Sequence, residues 1–582
     1  MQVQNTLHYI DWSLIAVFLI ISLAISLFVR KKAAKSLEDF FLGGRQFPWY
    51  LAGISMVATT FAADTPLAVT ELVAQHGISG NWLWWSFLFG GMLTTFFFAG
   101  LWRKSGVLTE VELIELRYSG KPAAILRGFR SLYLGLFMNV FIIAWVNLAM
   151  NALLVVFFEI PQDQVLYYTG GLMLLAAVYS SIGGLWGVAL TDMFQFVIAM
   201  LGTLVLAYLV VNNEEVGGMS GLKAALPDST FDFFPQIGNG DLTGTLSISL
   251  AAFLAYTTVQ WWASWYPGAE PGGGGYVAQR MMSTRNDKEA VYATLLFQIA
   301  HYCIRPWPWI LVGLASLVLY PDLAAEDKKL GYVMAMQDYL PVGWKGLLLA
   351  AFFAAYLSTI STQLNWGASY LVNDFYKRFF RQNADQNQLV AVSRGVTLLL
   401  AFLGILLTTQ LETISGVWTF IIECGAGLGL VLILRWYWWR INAWSEISAT
   451  AAPFIAYAFS KFYLGWEFPE SFFLTVGFTT VVWILVTFLT RPTEAHVLQH
   501  FYNKVEPAGY WGAFEKTDPD SNKASVLNLF ICWISAIVLT YGSLFFIGKI
   551  LFAEWQLAGM YGGLVLLSFL VLRNRMKFIR LI

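Results

Sequence analysis

Fifteen apolar stretches, each near the length that crosses a bilayer, fill most of this chain and leave it little choice of solvent. They run over residues 11–29, 48–76, 81–101, 129–158, 165–184, 186–211, 244–267, 289–320, 343–372, 388–409, 413–435, 446–464, 470–490, 524–547 and 553–573. A membrane-spanning helix needs about 20 largely apolar residues. Backbone groups in lipid have to bond within their own segment, so an all-α polytopic membrane protein is the expected form. Charge agrees: Asp, Glu, Lys and Arg make up 12% of 582 residues, against roughly 25% in soluble proteins. A soluble core of this size would instead split into charged-surfaced domains, which excludes a soluble enzyme. The formal net charge of −1 gives no basic footprint for nucleic acid. Cys303, Cys424 and Cys532 lie inside apolar stretches without a CxxC pair and are expected as small core residues. The first Lys or Arg is Arg30, so the basic segment of a secretory leader is missing and the first stretch is expected to be a retained helix.

Basic residues are retained on the cytosolic side of a membrane. One set of alternate loops, from Arg30, Lys31, Lys32, Lys35 and Arg45 to the Arg573–Arg580 tail, holds 27 Lys and Arg, and the opposite set holds four: Lys223, Lys328, Lys329 and Lys549. The split predicts about 15 transmembrane helices in a plasma or inner membrane, with the N-terminus outside and the C-terminus inside.

Two stretches are interrupted. The second carries Thr59, Thr60, Asp64, Thr65 and Pro66 at its middle, and proline both forfeits a backbone bond and disfavours helix before it. Unwinding is predicted near 62–65. A kink capped by threonine hydroxyls would leave Asp64 unexplained, because a lone mid-membrane Asp costs about 2.5 to 3.5 kcal/mol. The seventh stretch runs into SWYPGAEPGGGGYVAQR, where Pro267, Pro271 and the glycines 272–275 stop a helix. The plainer reading of that run is a flexible cytosolic loop, and a P-loop is excluded because GGGG lacks the GK[ST] ending. Breaks at matching places in 48–211 and 244–435 point to an inverted-repeat transporter with its site at the breaks. Freed carbonyls there meet a cation, and helix N-termini meet an anion.

The polar residues inside the stretches are the candidate site. Ser358 and Thr359, with Ala355 one turn before, offer oxygens to a hard cation such as sodium, although a lone Ser or Thr in a membrane helix usually bonds the carbonyl four residues back. Asn139, Asn147 and Asn151 share one helix face and either tie helices together or contact a solute. Asp64, Asp192, Arg305 and Glu423 are ionisable and lie well inside stretches, which marks them as functional candidates. Together they carry two negative charges in excess, which one cation or proton would partly offset. Arg305 either pairs with Glu423 or holds a solute carboxylate in bidentate fashion. Tyr266 and Tyr276 flank the second break as gates or stacking surfaces. His496 and His500, four apart in a mixed-charge segment, are expected on a surface helix, and no HExxH or GxSxG motif marks a hydrolytic centre.

Three patches resemble the solute:sodium symporter family, which includes sodium-coupled sugar, proline, pantothenate and sialic acid carriers. They are SLEDFFLGGRQFPWYLAGISMVAT, SSIGGLWGVALTDMFQF (with Gly183, Gly184, Thr191, Asp192 and Gln195) and LSTISTQLNWGASYLVNDFY. The resemblance covers about residues 10–435. It implies a leucine-transporter-type five-plus-five inverted repeat, with one extra helix before the core and about four after it. It also implies a sodium ion held by carbonyls of Ala58 and Phe61, the carbonyl of Ala355, and the hydroxyls of Ser358 and Thr359, with Asp192 associated with sodium near the inner exit. The chain departs from the family pattern in its long WYPGAEPGGGGYVAQR connection, through which only Tyr276 carries over, as an inner gate. Trp366, Arg305 and the run Asp64, Thr65, Pro66 also depart from it.

The expected layout is an extra helix and cytosolic loop (1–47), a first repeat (48–211), a second repeat (244–435) and accessory helices (446–582) with a cytosolic loop at 491–523. The expected activity is symport of sodium with a small polar organic solute, not enzyme catalysis. A sugar is favoured by the aromatic content, and an amino acid or sugar acid by Arg305. Asp64, Thr65, Asn147, Tyr276, Arg305 and Glu423 are the candidate solute contacts. A proton-coupled carrier of the same fold, a transporter-like membrane sensor and a passive channel are the other readings, and short cytosolic tails argue against the sensor. The expected partners are the solute, the coupling ion Na+ and the lipid bilayer, with no nucleic acid.

Overall fold

The computed structural model describes residues 7–33, 37–179, 184–236, 247–514 and 519–577. Gly183, with Lys35, Lys516 and Arg580 of the basic set, lies outside them. The described residues are helical throughout, and the only β pairing among them is two isolated bridges, Phe47 with Thr284 and Trp438 with Tyr510.

In chain order the main helices are α1 (Tyr9–Ala33), α2 (Trp49–Thr59), α3 (Asp64–His76), α4 (Ile78–Ser105), α5 (Gly120–Phe158), α6 (Val165–Tyr179) and α7 (Gly184–Val211). Then come α8 (250–263), α9 (Gly275–Ser283), α10 (Asp287–Leu319), α11 (Leu330–Tyr339), α12 (Trp344–Phe379) and α13 (Gln386–Thr408). The last group is α14 (Ile414–Cys424), α15 (Leu428–Tyr437), α16 (443–463), α17 (Glu470–Leu489), α18 (Ala495–Val505), α19 (Pro519–Leu551) and α20 (Trp555–Met576). Among the described residues, ten helices are long and apolar enough to cross a membrane. Two bent pairs pass the same test jointly: α2 with α3, bent by 59°, and α14 with α15, bent by 52°.

The apolar stretches become helices because a helix keeps every backbone bond inside its own segment. Helices α4, α5 and α10 are mostly buried, whereas α1, α13 and α20 turn most of their residues outward, as lipid-facing neighbours of a central bundle do. All three cysteines are free and buried. Buried charges at helix ends fasten the bundle. Asp11 of α1 accepts from the Gly343 and Gly346 N–H groups at 2.7 and 2.8 Å, so it caps the start of α12 where a negative charge is favoured. Glu71 of α3 does the same for α14, accepting from the N–H groups of Ile414 and Ser415 at 3.3 and 3.1 Å and from the Ser415 hydroxyl. On the side of the basic loops, the buried Glu446 meets Arg130, Arg435 and the Tyr118 hydroxyl. The expected surface helix at His496 and His500 is α18, and both histidines are exposed.

The first break falls slightly earlier than the sequence predicts, over residues 60–63, with helix resuming at Asp64. Pro66 therefore sits in the first turn of α3, where its missing N–H has no helical partner to lose. Asp64 gains from the positive helix end beside it. The second break is also present: α8 ends at Ala263 and α9 begins at Gly275. Its glycine segment is not a solvated loop, because residues 270–274 are buried. The bend at Gly425 to Gly427 was not anticipated.

Candidate functional site

Both ends of the first break line the smaller of two cavities. A smaller cavity of about 100 Å³ is lined by Thr60, Asp64 and Thr65 from the break, by Tyr266 and Tyr276 from the second break, and by His301 and Arg305 from α10. A larger cavity of about 410 Å³ is lined by Glu110, Asp192, Tyr276, Arg280 and Ser358 among others. Tyr276, Thr362 and Gln363 line both cavities and so form the partition between them.

In the smaller cavity Arg305 is fully buried. Its Nη1 donates to the Val57 carbonyl at 3.2 Å and to the Thr60 hydroxyl at 3.0 Å, and Nη2 reaches His301 Nε2 at 3.4 Å. Its guanidinium also stacks on the Trp309 ring at 4.9 Å. Since arginine only donates, His301 Nε2 accepts and the ring proton sits on Nδ1, which faces the Thr60 hydroxyl at 3.0 Å. The guanidinium has five N–H groups, and these contacts leave the Nε–H and one Nη2–H spare. Nε has no hydrogen-bond partner, and neither does Asp64 Oδ1, which is also buried. A buried polar group without a partner costs about 1 to 3 kcal/mol. Opposite charges with unused donors and acceptors thus line one pocket, with Trp84, Trp145 and Trp418 as apolar wall.

Beneath it, Asp192 of α7 joins α2 to α12. Its Oδ2 accepts from Ser55 and Thr59 of α2, each at 3.3 Å, and its Oδ1 accepts from Ser358 of α12 at 3.3 Å. Arg280 of α9 donates to the same two hydroxyls of α2, at 3.4 and 3.2 Å. Gln195, one turn beyond Asp192, donates to the Ala351 carbonyl of α12 at 3.3 Å. Phe61 packs on Phe352, with ring centroids 6.2 Å apart, which sets the end of α2 one helical turn from Ala355. Ala58, Phe61 and Ala355 are buried. Thr359 lines the smaller cavity, whereas Ser358 lines the larger.

Asp64, Thr65, Tyr276 and Arg305 therefore come together, and Asp192 joins Ser358. Asn147 and Glu423 line neither cavity. The Asn147 side chain is engaged by Tyr356, Thr408 and Met173, so of its two readings it takes the helix-tying one. Asn139 and Asn151 do likewise with Gln363 and Thr169. Glu423 does not pair with Arg305; it accepts from Ser471 at 2.9 Å and faces Lys461 at 3.7 Å. The expected surplus of two negative charges is offset by Lys461 and by Arg280, which is buried beside Asp192 although it follows a glycine run that reads as a loop. His301, Ser55 and Arg280 line or join the same cluster and were not singled out as candidates from sequence, and Thr59 was named only as part of the first break.

Helices broken around a polar pocket, with a carboxylate tying a broken helix to a hydroxyl-bearing neighbour, define an ion-coupled carrier architecture. Residues 40–450 match the sequence profile of the Sodium:solute symporter family, and the chain belongs to that family. Among similar proteins, a sodium/glucose cotransporter of Vibrio parahaemolyticus is 26% identical over 509 residues, covering 82% of this chain and 90% of the relative. A sodium/sialic acid symporter of Proteus mirabilis is 25% identical over 494 residues, covering 81% and 93%. A solved structure of a Na+-coupled sialic acid symporter in a substrate-bound outward-open state superposes with a TM-score of 0.63 at 20% identity, over 84% of this chain and 99% of that one. The protein is accordingly a multi-pass membrane protein of the sodium:solute symporter family.

Proposed function

We propose that this chain couples inward sodium movement to uptake of a small polar organic solute bearing a carboxylate, an amino acid or sugar acid, by alternating access. One observation carries the solute reading: Arg305 Nε and Asp64 Oδ1 are buried without partners in the same pocket. A carboxylate bound to the two spare N–H groups of Arg305 would satisfy them in bidentate geometry, and Asp64 would take an ammonium or hydroxyl group of the same solute. A neutral sugar is the second reading, favoured by the aromatic wall and Thr65.

In this reading sodium sits between α2 and α12, on the carbonyls of Ala58, Phe61 and Ala355 and the hydroxyls of Ser358 and Thr359. Asp192 is the next oxygen donor on the way out, because Ser358 reaches it directly and both line the larger cavity. That cavity includes Glu110, in the basic loop after α4, so it opens to the cytosol and the conformation is inward-facing. Tyr276 is then the inner gate. Residues 48–211 and 244–435 form the two inverted repeats, and the fifteen spans, N-terminus outside, follow from the 27-to-four distribution of basic residues. One charge crossing 100 mV releases about 2.3 kcal/mol, enough for roughly 50-fold accumulation at ~1.4 kcal/mol per tenfold.

The test is uptake into proteoliposomes of labelled proline, alanine, sialic acid and glucose under an inward sodium or potassium gradient, with wild type and Arg305→Gln. Sodium-driven uptake of a carboxylate solute that is lost in the variant supports the reading. Unchanged carboxylate uptake in the variant refutes it.

A further inference from the structure

Most buried acids outside the pocket have a partner of their own: Asp11 and Glu71 cap helices, Glu446 meets two arginines, and Glu423 meets Lys461. Glu110 and Glu270 differ. They are 8% and 5% exposed, and among the described residues no lysine, arginine or histidine is paired with either. Glu110, in the first turn of the helix Glu110–Arg117, accepts the Gly275 N–H at 2.8 Å on its Oε2. Glu270 belongs to the glycine segment, and its Oε2 has no partner. The two carboxyls close on the same peptide. A Cβ placed on Gly274 would lie 3.3 Å from Glu110 Oε2 and 3.1 Å from Glu270 Cγ, and one on Gly275 would lie 2.7 Å from Glu270 Oε1. The glycines that set this segment apart from the family pattern are what let two carboxyls approach.

Burial first, and then the charge of Glu110 beside it, push the Glu270 carboxyl up to about 8, so at neutral pH Glu270 keeps its proton. The other titratable groups facing them are Tyr276 of α9, next to Glu270, and Tyr370 of α12, next to Glu110. Arg280 and Arg305 also face Tyr276, and Asp374 and Arg130 also face Tyr370. Glu110 and Gly275 line the larger cavity, so water from that side reaches the pair. Tyr276, the partition residue, follows Gly275 directly, and its hydroxyl packs against Gly268 so closely that a Cβ there would overlap it.

We propose that Glu270 binds one proton beside the larger cavity and, as a neutral acid next to Glu110, lets the glycine segment and Tyr276 latch onto the helix Glu110–Arg117 through the Gly275 N–H. When the proton leaves to the cavity water, two negative charges oppose one another across Gly274 and Gly275 and the latch loosens. The inference goes beyond sodium and solute binding and does not depend on either.

It is tested on the full chain in lipid nanodiscs by infrared spectroscopy of the carboxylic-acid C=O band, titrated from about pH 6 to about pH 10, for wild type, Glu110→Gln, Glu270→Gln and the double variant. Thermal unfolding serves as the fold control. Glu270→Gln and the double variant are each expected to lose one carboxylic acid per chain at neutral pH, and Glu110→Gln to keep that acid but release its proton at a lower pH than wild type does. Loss of two in the double variant, of none in Glu270→Gln, or an unshifted titration in Glu110→Gln overturns the proposal. So does disappearance of the wild-type band on adding calcium or magnesium at fixed pH, which would make the pair a metal site.

Discussion

The chain bends two membrane helices sharply, at residues 60–63 and at residues 425–427, and the two bends have opposite chemistry. At the second, the freed backbone is satisfied by the chain itself: Gly425 O accepts the Trp265 N–H at 3.2 Å and the Gly427 N–H donates to Ala263 O at 2.9 Å. Glycine is required there because Gly427 has a φ of +92° and a Cβ on it would lie 2.5 Å from Thr479. At the first bend the backbone is partly closed by Thr60 N–H to Met56 O and Phe61 N–H to Ala58 O, but Asp64 and Arg305 keep polar atoms without partners. A broken helix in lipid is therefore not by itself a binding site. What sets the first break apart is that its partnerless atoms belong to a carboxylate and a guanidinium, whereas those beside the second, Ser264 Oγ, Trp265 Nε1 and Thr479 Oγ1, are neutral.

The strongest way to break this contrast is Arg305→Gln. Hydrogen bonds to a charged group are worth about 1.5 to 3 kcal/mol each, so losing two should lower kcat/KM for a carboxylate solute by roughly 100-fold or more while glucose uptake, if present, changes little. Next, Gly427→Ala should destabilise the fold by about 3 kcal/mol, combining left-handed strain with overpacking, and the protein that remains folded should bind sodium as wild type does. Altered sodium affinity with unchanged thermal stability would erase the distinction between the bends. Asn147→Ala should lower stability by about 1 to 3 kcal/mol through its orphaned partners, with the solute KM unmoved; a raised KM would return Asn147 to the solute site. The smallest effect is expected for the pair of buried Glu423 and partly exposed Lys461, whose coupling in a double-mutant cycle should be about 1 kcal/mol and should not change with sodium.

How much of this could be read in the sequence follows the same division. Helices were legible because lipid forces a span to declare itself in composition, and Pro66 announced the first break to within a few residues. The bend at 425–427 carried a signal, Gly425, Gly427 and Gly429 in an apolar run, that reads equally as close helix packing. Ser358 and Asp192 were legible through the family patches. The contact of Asp192 with Ser55 and Thr59 was not, because it joins helices more than a hundred residues apart. Arg280 was misplaced among loop residues, since sequence does not reveal that the segment bearing it folds back into the bundle. Asn147 and Glu423 illustrate the converse: a polar residue in a membrane helix announces that it has a partner, not whether that partner is Tyr356 and Lys461 or a solute.

The central claim is that sodium binds between the broken helix and α12. Its most direct test is the tryptophan fluorescence or thermal stability of purified protein titrated with sodium against potassium, for wild type and for Ser358→Ala with Thr359→Ala. The prediction is a sodium-selective shift in wild type that the double variant loses, or shows only at roughly 30-fold higher sodium, as expected for two contacts of about 1 kcal/mol each. An unchanged sodium response in the well-folded double variant, or no response in wild type, would contradict it.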